Sequence, residues 1–383
     1  MSLWPFPPVD EVIEILEWKT DVLQARSAEQ RFRLRERPRR QWSFNHIFDA
    51  ESQSAARSII RGASSFQIPD WIRRVYSGSI SAGSSVAITM DTTGYGLSAG
   101  ASVVLWAGIL DNEICTIESV SPTGFVLEYV ATARSASIYR IDNAHAATSL
   151  DITRQGGHIQ RASIMFEAPA VDIYAASTYA QYRSHDVIPI MATITNRGTL
   201  DEGIMWPREV FDNGTGLVST TVTRYIPDNA FMMRWHVFTQ AEIQALRAWI
   251  ASRYGRWLAF WQSSWQRDLV AAADTTSVST TLRVFCPTGA TSLGRTTFDI
   301  EVISSSGSYF RRVTNVSAGP VVGGRNTFDL MIDSAFGVSV PAISVSRISY
   351  LKCSRFDADR IELLHRPSEG LAVAIPCIEV PVP

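Results

Sequence analysis

The sequence has few cysteines. Four in 383 residues are too few for the disulfide framework of a small secreted domain. A metal or iron–sulfur site usually includes one short Cys-x2–4-Cys step, whereas the nearest pair here is Cys353 and Cys377. We therefore expect all four, Cys115, Cys286, Cys353 and Cys377, to be buried reduced thiols in a chain made in a cytosol, with no cofactor and no metal.

Long apolar runs and a charge excess are also missing. The longest apolar stretch, residues 103–110, has the length of a strand and not of a membrane span. The first ten residues lack the basic start and apolar centre of a secretory signal, so we expect neither a leader nor membrane attachment. A formal net charge of −2 gives no general attraction to nucleic acid or anionic lipid.

Motifs for catalysis are absent as well. The sequence has no G-x-x-x-x-G-K loop, no G-x-G-x-x-G between a strand and a helix, and no G-x-S-x-G elbow. Its six histidines lack metal-ligand spacing. Glu167 and Glu379 each stand alone in an apolar strand, whereas a glycosidase needs two acids facing one cleft. These absences predict a protein that is not an enzyme.

What is present is an internal repeat around two helices. His46-Ile-Phe-Asp49 precedes a predicted helix over 50–61, and His236-Val-Phe-Thr239 precedes one over 240–254. Asp49 and Thr239 suit the N-cap, and Thr239 with Glu242 forms a capping box. Gly62 and Gly255 are predicted to be left-handed C-terminal caps. The second helix is predicted to be about one turn longer.

The repeat extends over most of the chain. Aligned pairs are Trp4-Pro5 with Trp206-Pro207, Arg35-x-x-Pro38 with Arg224-x-x-Pro227, Arg57 with Arg247, Trp71-x-Arg73 with Trp265-x-Arg267, and 154–169 with 366–381. We therefore predict two tandem modules, 1–195 and 196–383, that join near residues 193–203.

A run of short strands follows each helix. They are predicted at 84–89, 102–106, 113–120, 125–130 and 137–140, and again at 280–285, 297–303, 309–316, 327–332 and 344–350. Such runs indicate small inserted barrels or sandwiches over about 77–141 and 270–350. The predicted fold class is mainly β (α+β): two β-sandwich modules, each with one flanking helix and one inserted β-subdomain.

Two groups of side chains are candidate contact residues. Arg31, Arg33, Arg35, Arg37 and Arg39 alternate with other residues, and on a strand they would share one face. That face suits an anionic partner such as DNA in a channel, or else a salt-bridged face, solvated or between subunits. Trp257, Trp261 and Trp265 are predicted subunit contacts; they could also stack on sugars, although their place just after the helix favours packing.

The segment from Glu17 to Phe44 resembles the opening of tail-tip and baseplate proteins of long-tailed bacteriophages. Those proteins have an extended "Trp…Thr-Asp-Val…Gln-Arg…Leu-Arg…Pro-Arg" run before an aromatic strand and a helix. The resemblance covers about 16–73 and is echoed over 217–267. It implies a tail-tube-like fold and a structural role in the virion, in a ring beneath the tail tube. The implied partners are the tail tube protein, the tape-measure protein, the baseplate hub and other tail-tip proteins, with genome DNA only in passage.

The duplication gives this resemblance a symmetry. Three chains of two modules each would form a pseudo-hexameric ring, able to join a sixfold tube to a threefold hub. Three alternatives remain: a tail hub with an iron–sulfur cluster, a carbohydrate-binding or carbohydrate-cleaving tail component, and a DNA-binding protein that uses the inserts and the arginine row.

Overall fold

Strands dominate the architecture. The computed structural model describes residues 1–24, 28–155, 159–168, 179–188, 202–205, 208–212, 214–216, 218–222, 228–285, 293, 296–367 and 369–381. About 60% of the residues are in strands and 9% are helical, with two α-helices and large antiparallel sheets among the described residues. The predicted mainly β (α+β) class is therefore confirmed. No helix in these ranges is both long and apolar enough to cross a membrane.

The first module runs from β1 to β13. Its elements are β1 (Ser2–Leu3), β2 (Val12–Glu17), β3 (Thr20–Gln24), β4 (Glu29–Arg33), β5 (Arg39–Phe48), α1 (Ala50–Gly62), β6 (Ser65–Ile80), β7 (Gly83–Thr89), β8 (Ser102–Trp106), β9 (Asn112–Ser121), β10 (Gly124–Val130), β11 (Arg134–Ala146), β12 (Asp151–Gln155) and β13 (Ile159–Ala168).

The second module runs from β14 to β27. Its elements are β14 (Gln181–Tyr182), β15 (His185–Ile188), β16 (Glu202–Met205), β17 (Arg208–Asp212), β18 (Val218–Val222), β19 (Asp228–Val237), α2 (Gln240–Ser252), β20 (Phe260–Ser263), β21 (Thr281–Phe285), β22 (Phe298–Ser304), β23 (Gly307–Ala318), β24 (Thr327–Ile332), a 3-10 turn (Ala342–Ser344), β25 (Val345–Phe356), β26 (Arg360–Arg366) and β27 (Gly370–Glu379).

Both helices begin at the predicted caps. The Asp49 carboxylate accepts a hydrogen bond from the Ser52 amide, and Thr239 forms the capping box with Glu242. The predicted C-terminal caps and the predicted longer second helix are wrong. Each helix has 13 residues, so the extra turn is missing, and α1 passes directly into extended backbone at Ala63. Gly255 is left-handed (φ +65°) but lies beyond the end of α2, where a Cβ would collide with Asp359.

The two modules share one connectivity. In the first module the antiparallel pairs are β2–β5, β5–β13, β12–β13, β6–β11 and β11–β13, and in the second the corresponding pairs are β16–β19, β19–β27, β26–β27, β20–β25 and β25–β27. The parallel pair β1–β6 corresponds to β15–β20. The hairpin β3–β4 corresponds to β17–β18. Since β15 pairs with β20, the second module includes residues before 196.

The register corrects the predicted alignment by one residue. His46 is buried on β5, whereas His236 is only half-buried and Trp235 takes the inward position on β19. The cause is Phe238, an extra residue between β19 and the cap Thr239, whereas Phe48 directly precedes Asp49. A slip of one residue on a strand moves every side chain to the other face.

The closing strands shift in the same way. Arg154 lies opposite Gln160, and His365 lies opposite Leu371, while Gln160 and Leu371 face the last residues of β5 and β19. Arg154 therefore corresponds to His365 and not to Arg366. Of the other aligned residues, Trp206, Pro207, Arg224 and Pro227 lie outside the described ranges, as does most of the predicted join at 193–203. In sequence, Trp206 follows β16 as Trp18 follows β2.

One sheet runs through both modules. Its strand order is β12–β13–β5–β2–β26–β27–β19–β16, and all neighbours are antiparallel. Each module packs its half of this sheet, its helix and a second sheet around its own apolar core. Each inserted β-subdomain has a separate core, and the predicted insert strands are found within a few residues, except that β11 and β25 extend about six residues beyond the predicted segments.

Candidate functional site at the junction of the two modules

Strand β2 joins the modules. It pairs with β5 of the first module on one side and with β26 of the second on the other. Val12 at its start is part of the first core, whereas Leu16 near its end and Trp18 just beyond it are part of the second. The Trp18 amide also donates to the Asp359 carbonyl at 2.8 Å. One strand thus ties both cores together.

A buried carboxylate lies at the centre of this strand. Glu14 is fully buried and accepts hydrogen bonds from Arg247 Nη2 at 2.5 Å, Arg40 Nε at 2.8 Å and His365 Nε2 at 3.0 Å. These donors come from α2, β5 and β26, so both modules contribute. Removing one member would leave buried charges uncompensated, which is more costly than losing a surface ion pair.

Electrostatics keep Glu14 ionised. Burial raises its pKa, but the charges of Arg247 and Arg40 and the hydrogen bond from His365 outweigh burial, and the pKa lies well below its ordinary value. Burial lowers the pKa of His365 despite its hydrogen bond to Glu14. The histidine is therefore a neutral donor to the carboxylate near pH 7.

Further charge pairs continue from Arg40 into the first module. Arg40 Nη1 donates to Asp142 at 3.2 Å, and Arg140 Nη2 donates to the same carboxylate at 2.8 Å. Nearby, Arg73 is paired with Asp70 at 2.6 Å. The cluster crosses the junction and fixes one register between β2 and β26.

The β3–β4 hairpin forms a second contact between the modules. Glu29 accepts two hydrogen bonds from the buried Arg355, at 2.8 and 3.0 Å. The guanidinium of Arg33 lies over the rings of Tyr254 and Trp257, at 4.7 and 4.6 Å from their centroids. We call this hairpin the arm, because it extends from the first module and contacts the second.

The predicted row of five arginines is not one strand face. Arg31 and Arg33 lie on β4, Arg35 and Arg37 lie in the connection after it, and Arg39 begins β5. The strand ends at Arg33 because its hairpin partner β3 begins at Thr20, opposite Arg33. Arg31 pairs with Glu29 at 3.4 Å, Arg35 donates to the Glu17 carbonyl at 2.8 Å, and Arg39 lies 3.9 Å from Glu167. This arrangement fits the salt-bridged interpretation better than a charged groove.

The three predicted tryptophans have different surroundings. Trp261 is fully buried and donates to the Tyr182 carbonyl at 2.9 Å. The ring of Trp257 contacts the guanidinium of Arg33 on the arm, and Trp265 packs against the second core. Because Trp261 is inaccessible, the three do not form the exposed surface that stacking on a sugar would need.

The predicted burial of the thiols is confirmed where they are described. Cys115, Cys353 and Cys377 are buried and free, and Cys286 lies outside the described ranges. Burial raises the pKa of Cys115 to about 11 and that of Cys353 to about 12, which keeps both protonated. In the described part of the chain, no group of three His, Cys, Asp or Glu side chains is placed to hold a metal ion.

A cleft of about 610 Å³ opens beside the buried cluster. The first module contributes Trp71, Arg73 and Tyr139 to its wall, and the second contributes Phe238 and His365. Its described lining mixes aromatic, basic and aliphatic side chains with the carboxylate of Asp10, and it contains no serine, cysteine or lysine nucleophile.

Sequence reasoning missed the central residues of this site. One available signal was a carboxylate within the apolar run Val-Ile-Glu-Ile-Leu at 12–16. Another was Arg247 on the apolar face of α2. Neither indicates that the first module's strand pairs with the second module.

No model of a protein family matches the chain, and no curated protein matches it.

Proposed function

We propose that the protein is a structural, non-enzymatic component of a phage virion. It forms a ring at the distal end of the tail and joins a sixfold tail tube to a threefold hub. The observation that carries this proposal is the pair of modules with one connectivity, joined head to tail through β2 in a single eight-stranded sheet. The resemblance of residues 17–44 to tail-tip proteins supports the location in the virion.

The geometry of a ring follows from the way the modules are joined. A head-to-tail contact that is repeated closes into a ring when its rotation allows. Three chains at eight strands each would close the sheet into a barrel of 24 strands, which is larger than the 16–18 strands of barrels that enclose an aqueous channel.

The two faces of strand β5 differ, and the face away from the core carries polar side chains together with the exposed Ile47. On β5, the inward residues Trp42 and Phe44 belong to the core, whereas Gln41, Ser43 and Asn45 point to the opposite face. The polar side chains on this strand would suit the passage of the tape-measure protein and of DNA. The tail tube protein and the hub would then contact the two rims of the ring.

Location and assembly test this proposal separately. Antibody carrying gold should bind virions at the tail end farthest from the head, and symmetry-free cryo-electron microscopy should show three chains around a channel. Label on the capsid, or none on intact virions, would overturn the location. One or six chains in the ring would overturn the stoichiometry.

A further inference from the structure

Among the described residues, two strands lack a neighbour that their counterparts in the other module have. At the junction, β2 and β26 each have two neighbours. Among the described strands, their counterparts β16 and β12 have one neighbour each, β19 and β13. Each chain therefore has two outer strands, β16 and β12, that correspond to the two strands paired at its own junction, β2 and β26.

The sequence has residues of opposite charge at matching backbone positions of the two edges. Glu14 lies opposite Trp42 on β5, and Glu202 lies opposite Phe231, the equivalent residue of β19. Glu202 is thus the β16 counterpart of Glu14. Of the residues that bind Glu14, His365 corresponds to Arg154.

The helices supply the second cation. Arg247 and Arg57 are each eight residues after their N-caps, Thr239 and Asp49. Arg247 is buried against Glu14, whereas Arg57 and Arg154 are exposed. The first module therefore presents two arginines where the second presents Arg247 and His365.

Exposed apolar side chains occur on β16 and on the hairpin that follows it in the chain. Leu16 on β2 is fully buried, whereas its β16 counterpart Ile204 is 66% exposed. The β3–β4 arm grips the second module, but every described side chain of the β17–β18 hairpin is exposed, including Val210, Phe211 and Val218. Large apolar groups clustered on an exposed edge mark an interaction surface.

We propose that β16 of one chain pairs antiparallel with β12 of a second copy in the register of β2 with β26. Glu202 then lies opposite Ile152 of the second copy, and its carboxylate is bound by Arg57 and Arg154 of that copy. The β17–β18 hairpin lies on the first module of the second copy. The strand pairing rests on the repeat; only closure after three copies rests on the proposed function.

Charge reversal tests the pairing. By sedimentation, Glu202→Arg and Arg154→Glu should each weaken self-association at least about tenfold, because like charges then face each other. Glu202→Arg combined with Arg154→Glu in one chain should restore it. Glu128→Arg, on the exposed surface of the first insert, is the matched control and should associate like the wild type. At a concentration where the wild type is monomeric, each variant should keep the wild-type thermal unfolding midpoint.

Mixing the single variants separates pairing from closure. Glu202→Arg chains and Arg154→Glu chains match only when they alternate, and an odd-numbered ring cannot alternate. The mixture should therefore form even-numbered species, while the double variant forms the trimer. A trimer from the mixture would overturn the charge assignment; a double variant that forms only even-numbered or open assemblies would overturn the three-chain ring but not the pairing.

A disulfide tests the register. Gly203 corresponds to Ile15, and Asp151 to Glu362, which are opposite each other at the junction. Gly203→Cys with Asp151→Cys should therefore give covalent dimers and trimers on oxidation. A bond within one chain is excluded, because the two edges are seven strand spacings apart, roughly 34 Å.

The control for the disulfide shifts the pair by one residue. Gly203→Cys with Ile152→Cys places the two thiols on opposite faces and should not cross-link. Equal cross-linking of both pairs, or a wild-type chain that stays monomeric at its highest soluble concentration, would overturn the proposal.

Discussion

Strands β2 and β16 occupy the same place in the two modules but have different surroundings. β2 lies between two strands, with Glu14 and Leu16 fully buried. β16 has one described neighbour, and Ile204 is largely exposed. The difference shows that burial at this position is decided by the adjacent module and not by the strand's own sequence.

The two hairpins repeat the contrast. The first is anchored by Glu29 and Arg33 to the second module, whereas the second presents Phe211, 70% exposed, to solvent. In both cases the element of the first module, β2 or the β3–β4 hairpin, makes its contacts within the chain. The second module's element is exposed, and under the pairing that we propose it contacts a second copy of the chain.

The largest expected effect is at Glu14. Glu14→Ala leaves Arg40 and Arg247 buried without their carboxylate and should lower the free energy of unfolding by about 3–5 kcal/mol. Urea denaturation measures the loss. Glu11→Ala, which removes an exposed pair with Arg366, should change it by less than about 1 kcal/mol. Similar losses for the two variants would contradict the role of the buried cluster.

Substitutions at Leu16 and Ile204 measure the cost of losing the same strand position with and without a neighbouring module. Leu16→Ala opens a cavity in the second core and should cost about 2–5 kcal/mol in unfolding free energy. Ile204→Ala, measured at a concentration where the chain is monomeric, should change it by about 0.5 kcal/mol or less. Equal costs would mean that β16 is covered within the chain.

Acid should destabilise the first module through His46. Burial lowers the pKa of His46 to about 4, while its ring accepts from Trp4 Nε1 and contacts the Pro7 carbonyl. The folded chain thus binds fewer protons between pH 6.5 and 4, and stability falls as pH falls through this range. Between pH 8 and 5 the loss should be about 2 kcal/mol.

A variant isolates the His46 contribution. His46→Gln should lose about 2 kcal/mol less than the wild type between pH 8 and 5 in urea denaturation. In hydrogen exchange as the pH falls, His46→Gln should keep protection in the core of the first module to a lower pH than the wild type. Identical pH profiles for the two chains would rule out this assignment.

The smallest effect is expected at the arm. Arg33→Ala removes the guanidinium from Tyr254 and Trp257 and should cost about 0.5–1 kcal/mol of unfolding free energy. Arg39→Ala removes only an exposed pair with Glu167 and should have no measurable effect. A larger loss of unfolding free energy for Arg39→Ala than for Arg33→Ala would contradict this assignment and favour the five arginines acting as one charged face.

Much of the local structure could be predicted from the sequence. Asp49 and Thr239 cap their helices because a short polar side chain can bond to free amides of the first turn, whatever surrounds the helix. The insert strands were likewise indicated by alternation and turn residues. The alignment of His46 with His236 was wrong because Phe238 inserts one residue between strand and cap, and spacing from a helix cannot show which face of a strand is buried.

The sequence by itself determined the two capped helices and the mainly β class and indicated the internal repeat, since these show in local patterns of residues. Only the tertiary structure decided that β2 joins the second module and that Glu14 is bound by Arg40, Arg247 and His365, which lie 26 to 351 residues away. It also separated the five arginines into different contacts. Pairing between distant strands depends on which edge is available, and the sequence of a strand does not specify its neighbour.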